Sequence, residues 1–438
     1  MVRVKQLLSK TRPEDIAHVF PALRERERRQ VFDLIEDSSY QAEVLAEIDS
    51  GLIREILDPL NLEKVVEVLH EVPADDVADI LGELSEERVS SILGLMRDQE
   101  SLEVEDLMGY DPESAGGIMS PDFFALPSET TVSESIVALQ ERHDTIEMAF
   151  YVYVVNEHGQ LTGVVSLRQL VTTPPTTKLS DIAEYDAISV QTSADQEHVA
   201  QLVARYNFLA LPVVDETNKL LGIVTVDDII DVLYEEATED ILKLAGAGTE
   251  LPSTATIWEH FRMRYPWLVA SCLGGFIAAM IMDPFLSHLS AFLMLFVPVV
   301  MGMAGNVGIQ SSTIVVRGLA TGNVEMGKVG SVVRREIGLG LLLGVGYGVI
   351  IGIGVALYGY LSGTGQQQYS IAFYGVSVGL SLTVAMIMAA TLGALIPLGF
   401  NRAGIDPAVA TGPFVTSALD VLGILAYFMI ALLLAQVF

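Results

Sequence analysis

The chain has 438 residues, 51% of them hydrophobic, and a formal net charge of −31 from 25 Lys and Arg against 56 Asp and Glu. From Ile257 onward seven bases face six acids, so nearly all of the negative excess precedes that point, where it repels nucleic acid and anionic lipid and draws cations as counter-ions. A single cysteine, Cys272, excludes a disulfide framework and a cysteine zinc site, and MVRVKQLLSKTRPED lacks the apolar core of a cleavable signal, so the soluble part is expected to stay in the cytoplasm.

Over the first hundred residues, apolar positions recur at helical spacing: Val65, Val66, Val68 and Leu69, then Val77, Ile80, Leu81 and Leu84. Arg12-Pro13-Glu14-Asp15 and Val72-Pro73-Ala74-Asp75-Asp76 read as helix starts, with proline in the first turn and acids complementing the dipole. The pattern predicts an all-α superhelix of short helices, of either hand, over residues 1–108.

An internal repeat follows. Tyr153-Val154-Val155-Asn156-Glu157-His158-Gly159-Gln160-Leu161-Thr162-Gly163-Val164-Val165-Ser166 aligns with Pro212-Val213-Val214-Asp215-Glu216-Thr217-Asn218-Lys219-Leu220-Leu221-Gly222-Ile223-Val224-Thr225. Each copy reads as two short strands around a polar turn, then a helix beginning near Ser166 or Thr225. Each is preceded by a helix, near Val132 to Arg142 and near Gln196 to Tyr206, and by a leading strand at Met119-Ser120-Pro121 or Ile188-Ser189-Val190. The pattern resembles a tandem pair of α/β CBS domains, assigned to 109–178 and 179–236, a module that binds nucleotides or ions and dimerises.

A polar linker from Glu235 to Thr256, expected to hold a connecting helix over 237–262, leads to a membrane domain over 263–438. Its apolar runs, at about 266–282, 291–316, 332–361, 371–399 and 411–437, are each long enough to cross a hydrocarbon core of about 30 Å. Arg262 and Arg264, then Arg317, Lys328, Arg334 and Arg335, then Arg402 fall on one side of five crossings, while the loops near Ser287 and Gln366 and the tail Ala435-Gln436-Val437-Phe438 carry no Lys or Arg. The distribution predicts a cytoplasmic N-terminus and an extracytoplasmic C-terminus.

Two features of the membrane part carry chemistry. Asn306 and Gln310 share a helix face in the glycine-rich run Gly302-Met303-Ala304-Gly305-Asn306-Val307-Gly308-Ile309-Gln310, where they are either interhelical glue or the oxygens of a pore wall. Asp420 lies a third of the way through the last run with no nearby Lys or Arg in sequence, and an intramembrane carboxylate is a functional-site hypothesis by default. Because Mg2+ keeps several of its waters, one carboxylate per subunit of a dimer, with amide and hydroxyl oxygens around it, suits a hydrated dication.

With these residues in view the chain is identified as resembling the MgtE family of Mg2+ channels over nearly its whole length. The motifs are Glu113-Ser114-Ala115-Gly116-Gly117-Ile118-Met119, Gly222-Ile223-Val224-Thr225-Val226-Asp227-Asp228, Glu236-Ala237-Thr238-Glu239-Asp240, Gly305-Asn306-Val307-Gly308-Ile309-Gln310-Ser311 and Asp406-Pro407-Ala408. The resemblance implies a homodimer in the bacterial inner membrane that imports Mg2+ along its two-fold axis, lined by the second and fifth spans. Asp420 is then the selectivity carboxylate. Intracellular Mg2+ between acidic faces would draw the cytoplasmic domains together and close the pore. The metal-ligand candidates are Asp420, Asp406, Asp228, Asp231, Glu197, Glu236, Glu239, Asp75, Asp76 and Asp79; the pore-lining candidates are Gly305, Asn306, Gln310, Thr416 and Ala418.

Mg2+ is the expected substrate and regulator, and divalent cations, the bilayer and a second copy are the expected partners, with no nucleic acid. ATP stays an open second ligand, since Arg168-Gln169 stands where nucleotide-binding members carry Arg-Asp, and Asn207 where they carry an acid. The N domain is short for the family. The alternative function is a secondary divalent-cation transporter coupled to Na+ or H+. A CBS-regulated membrane metalloprotease lacks its motif, because His70-Glu71-Val72-Pro73-Ala74 has no second His.

Overall fold

The computed structural model describes residues 2–142, 150–248, 255–287, 289–321, 324, 327, 329–363, 369–409 and 412–437. Lys328, Gln366 and Phe438, named above, lie outside the described residues. The chain divides into two compact units, one reaching Glu235 and the other running from Glu236 onward.

The first unit opens with nine short helices: α1 (Val2–Leu8), α2 (Pro13–Val19), α3 (Glu25–Asp33), α4 (Ser38–Ala46), α5 (Ser50–Leu57), α6 (Leu62–Leu69), α7 (Ala74–Gly82), α8 (Glu86–Leu93) and α9 (Asp98–Met108). Several pack on the helix two places along, α2 on α4, α4 on α6 and α6 on α8, with α3 on α5 and α7 on α9. None is long enough to be stable alone, so this stacking, which buries Phe20, Phe32, Leu45, Leu52, Leu57, Val65 and Leu69, holds them.

The repeat folds twice into the same three-stranded sheet. Strand β1 (Ala125–Pro127) runs parallel to β2 (Tyr151–Val155), which is antiparallel to β3 (Leu161–Ser166); β4 (Val190–Gln191), β5 (Ala210–Val214) and β6 (Leu220–Thr225) repeat the order. Val154 faces Gly163 in one copy and Val213 faces Gly222 in the other, each followed by a bulge. Both turns are built alike. Asn156 Oδ1 accepts the amides of His158 and Gln160 at 2.9 and 3.0 Å, and Asp215 Oδ1 those of Thr217 and Lys219 at 2.8 Å each. The left-handed position after each falls on Gly159 (φ 74°) and Asn218 (φ 65°), residues that tolerate it. The two turns exchange reciprocal amides, Leu161 to Asn218 and Leu220 to Gly159.

Met119-Ser120-Pro121 is not the leading strand of the first copy; β1 begins at Ala125, and Ser120 instead pairs with Ile223 of the second copy. Helices α10 (Val132–Glu141), α11 (Leu167–Thr172) and α12 (Gln196–Tyr206) complete the pair. The second copy shares one continuous core with the helical domain through Met119, Val199, Leu211, Val224 and Ile229, whereas the first has its own around Phe124, Val152, Val165 and Leu179.

The connecting helix also differs from expectation. No glycine or proline interrupts Val226 to Lys243, so α13 (Val226–Leu244) grows directly out of the second hairpin. It stops before Gly246 and Gly248, at φ 67° and 89°, values that cost a side chain. A separate helix, α14 (Ile257–Leu286), starts at Thr256, whose hydroxyl accepts the Glu259 amide while Glu259 accepts the Thr256 amide, a capping box.

In the second unit, α14, α15 (Ala291–Met294) with α16 (Val297–Ala320), α17 (Val329–Ser362), α18 (Ile371–Arg402) and α19 (Pro413–Ala435) supply five spans long and apolar enough to cross a membrane. Helices α17 and α18 pack most extensively. Gly340, Gly344, Gly348 and Gly352 form a stripe at four-residue spacing, and a Cβ on Gly348 would stand 2.5 Å from the Gly379 carbonyl oxygen. In lipid, close backbone approach of this kind is what drives helices together. Helix α15 breaks from α16 near Pro298, which has no amide to donate. Near the break, Tyr427 donates its hydroxyl to the Leu293 carbonyl at 2.8 Å. Tyr427→Phe removes this bond between α19 and α15, leaving the Leu293 carbonyl with the Phe296 amide at 3.1 Å, and is expected to cost about 1 kcal/mol, read as a lower thermal midpoint of the detergent-solubilised protein; an unchanged midpoint refutes the anchor.

Candidate cation-binding sites

In the first unit the carboxylates of the N domain and of the second CBS copy influence one another. Burial first, then the charges of Asp227 and Asp75, push Asp228 up to about 6, against a side-chain hydrogen bond from Thr225 that acts the other way. Asp79 is pushed up to about 6 by desolvation and by Asp75, Glu235 and Glu83. Asp75 is raised by desolvation, Asp227 adding to it and a hydrogen bond from Ser120 opposing it, and its Oδ1 is buried with no hydrogen-bond partner. Asp231 is raised by desolvation and then by Asp227. Asp76 sits beside Asp75 in the first turn of α7.

Glu197 occupies the first turn of α12 and takes a 3.3 Å hydrogen bond from Gln201. Asp122, raised by desolvation and by Asp75 and Glu103, and Asp227 belong to the acidic group although spacing did not single them out. Asp227 adjoins a candidate in sequence; Asp122 is joined only by the fold.

In the second unit, Lys243 Nζ lies 2.7 Å from Asp406 Oδ2 and 2.6 Å from Glu239 Oε1, tying the end of α13 to the segment between α18 and α19. Asp406 Oδ1 accepts the Ala408 amide at 2.7 Å, which accounts for the Asp-Pro-Ala motif as a turn. Desolvation, then Asp406 and Glu236, push Asp240 up to about 6 despite Lys243.

Among the described residues no three His, Cys, Asp or Glu converge closely enough to hold a metal by themselves. The ten metal candidates are therefore not a preformed chelate. Mutual repulsion at low local dielectric keeps such groups apart, and it is their protonation that burial favours.

Helices α16 and α19, which carry the membrane candidates, meet at one crossing. A Cβ on Gly308 of α16 would strike Leu419 and stand 3.2 Å from Val415 Cγ1, both on α19. Asn306 and Asp420 flank this contact in sequence. Along α16, Val299, Gly302, Asn306, Gln310, Thr313 and Arg317 recur at spacings of three and four, and all are exposed. Gly302 and Gly305 have open space where a Cβ would point. Asp420 is partly exposed, with no ion-pair partner among the described residues. Ala418 is partly exposed too, and Thr416 gives its hydroxyl to the Gly412 carbonyl at 2.9 Å, leaving its lone pairs available.

The opposite side of α16 holds a residue that sequence reasoning passed over. Glu336 of α17 is 1% exposed, accepts the Ser311 hydroxyl at 2.9 Å and lies 3.5 Å from Arg335. The adjoining Arg334-Arg335 pair hid this acid among loop charges.

A cleft of about 280 Å³ in the first CBS copy is lined by Tyr151, Val164, Ser166, Arg168, Gln169, Thr172 and Glu184. There Gln169 is spent on its own helix, its Oε1 accepting the Ser166 amide and hydroxyl at 2.8 and 2.7 Å. Asn207 caps α12 at φ 55°.

Comparison with known proteins extends this picture. Residues 297–430 match the MgtE family, described as divalent cation transporters, residues 11–113 the MgtE intracellular N domain, and residues 115–176 and 179–235 the CBS domain. The magnesium transporter MgtE of Thermus thermophilus is 38% identical over 338 residues, 76% of this chain and 73% of the relative. That of Bacillus subtilis is 35% identical over 334 residues, 76% and 72% of the two chains. Among solved structures, the cytosolic domain of the Mg2+ channel MgtE in complex with ATP aligns with a TM-score of 0.50 at 36% identity, covering 52% of this chain and 93% of that one.

Proposed function

The chain belongs to the MgtE family of divalent cation transporters, and we propose that it is a homodimeric Mg2+ channel of the cell membrane, closed by Mg2+ on its cytoplasmic side. The observation that carries the proposal is the exposed stripe of α16. Asn306, Gln310 and Thr313 on the outside of an apolar bundle would waste hydrogen-bonding capacity against lipid. A second copy related by a two-fold axis places the same stripe opposite itself, and two polar stripes facing each other form a wet path. Asp420, beside the α16–α19 crossing, adds one carboxylate per copy to attract a dication that keeps its waters.

Closure follows from the acidic groups. Without a divalent cation, Asp75, Asp79, Asp228 and their neighbours oppose one another, and Mg2+ between them reverses that sign. The Glu239–Lys243–Asp406 ion pairs give the end of α13 a grip on the membrane unit, so rearrangement of α13 reaches the pore domain.

Single-channel recording of the purified chain in a planar bilayer tests the proposal. Unitary Mg2+ currents without any Na+ or H+ gradient, suppressed as Mg2+ rises on the side of the acidic domains, are expected. Mg2+ movement without unitary steps, or only with a Na+ or H+ gradient, would replace the channel with a coupled transporter.

A further inference from the structure

Helix α14 is 30 residues long, about 45 Å at 1.5 Å per residue, against about 30 Å of hydrocarbon. The excess lets its first turns, Ile257 to Tyr265, stand in the headgroup layer. Those turns have two different sides. Met263 and Trp267 are half-buried and carry the chain after α13: a Cβ on Gly248 would strike Met263, and one on Gly246 would stand 3.9 Å from Trp267 Cβ.

The other side has no cover. Trp258, Phe261 and Tyr265 are 65%, 47% and 53% exposed and form a ladder, Trp258 against Phe261 at 5.2 Å and Phe261 against Tyr265 at 5.0 Å between ring centroids. Arg262 and Arg264 are exposed on either flank of this ladder, with no ion-pair partner among the described residues. The one acid in the stretch, Glu259, is engaged by Thr256 at 2.6 and 2.9 Å.

The amphipathic rings of Trp258 and Tyr265 at headgroup depth, beside unpaired guanidinium groups, match the chemistry of an anionic phospholipid: glycerol and ester carbonyls for the Trp N–H and Tyr O–H, acyl chain for Phe261, phosphate for the arginines. We propose that the first turns of α14 form a binding surface for anionic phospholipid in the leaflet that they enter. Three observations favour lipid over a second copy: the surface continues directly into a bilayer-spanning helix, its flanks are basic, and its rings already stack on one another. Lipid held here fixes the helix whose reverse side carries the connection from α13. The inference needs only that α14 spans the membrane and is independent of channel activity.

The chain has two tryptophans, so Trp267→Phe leaves Trp258 as the sole tryptophan of the full-length protein, read by excitation beyond the tyrosine band. This variant is reconstituted in equimolar phosphatidylcholine and phosphatidylglycerol, with brominated chains on one lipid or the other. Bromine on phosphatidylglycerol is expected to quench Trp258 with a roughly five- to thirtyfold higher apparent affinity than bromine on phosphatidylcholine, the effect of two basic residues near the surface. Arg262→Gln with Arg264→Gln should abolish the preference while both lipids still quench. Equal quenching by the two lipids in the parent, or a preference that survives loss of both arginines, overturns the proposal. Trp258 shielded from both lipids also overturns it and assigns the surface to protein. Mg2+ flux through each variant checks folding only; loss of flux on replacing Asp420 bears on the channel alone, so the two readings fail separately.

Discussion

Asp420→Ala is expected to lower Mg2+ flux into liposomes by at least ten- to a hundredfold while leaving the protein folded and dimeric. A carboxylate and a hydrated dication about 5 Å apart attract by several kcal/mol at an effective dielectric constant near 20. Even if water restores most of that, the remaining 1.5–3 kcal/mol typical of a hydrogen bond to a charged group is worth roughly ten- to a hundredfold. Asp420 is partly exposed at the α16–α19 crossing, and its substitution removes no core contact of the kind made by Leu419 beside it, which is buried. Asp420→Asn tests charge separately from size and should behave like the alanine variant, whereas Asp420→Glu should retain part of the flux. A wild-type rate from Asp420→Ala ends the selectivity assignment.

The parts of this architecture that could be read in advance are those set by spacing. The CBS hairpins from Tyr153 to Ser166 and from Pro212 to Thr225 align position for position without a gap, and the observed registers Val154–Gly163 and Val213–Gly222 follow from that alignment. The five apolar spans follow from length alone. Spacing failed at the connecting helix, because Glu235 marks a change of composition inside α13 rather than a change of backbone; the helix ends instead before Gly246 and Gly248, which take positive φ, and the next helix starts at Thr256.

Spacing is also silent on partners distant in sequence. Lys243 and Asp406 are 163 positions apart, and Asp122 joins Asp75 only once the helical domain packs on the second CBS copy. Glu336 was hidden for a different reason: counting charges for topology treats an acid beside two arginines as loop, whereas helical phase turns it toward Ser311. The candidate pore face fared better, since four-residue spacing correctly put Asn306 and Gln310 on one side of α16, and the structure adds that this side is uncovered within one chain.

Asp228→Asn is expected to uncouple closure from Mg2+ and to alter the pH dependence of the cytoplasmic half. Asp228 is raised from 3.8 to about 6 in the folded unit. Between those values the folded state holds more protons on Asp228 than the unfolded state, so the contribution of Asp228 to stability is fully present below about pH 4 and is lost as pH rises through 6. Protons and Mg2+ thus relieve the same repulsion, protons by removing charge and Mg2+ by bridging it. Thermal unfolding of the full chain in metal-free buffer should show a lower Tm at pH 7.5 than at pH 5.5, and Mg2+ should raise the pH 7.5 value toward the other. The asparagine retains an oxygen to cap Thr225 but cannot ionise. Its metal-free Tm at pH 7.5 should therefore exceed that of the parent by roughly 2–4 °C per kcal/mol of repulsion removed, with most of the Mg2+-dependent rise gone. Deprived of a ligand, the sensor no longer gains closing energy from the ion, so flux against millimolar internal Mg2+ should rise several-fold. Glu239→Gln, which leaves Lys243 with Asp406 alone, should raise flux in the same direction without shifting the Asp228 transition. If Asp228→Asn keeps both the Mg2+-dependent Tm rise and full closure, the carboxylates of α7 and α13 are not the sensor.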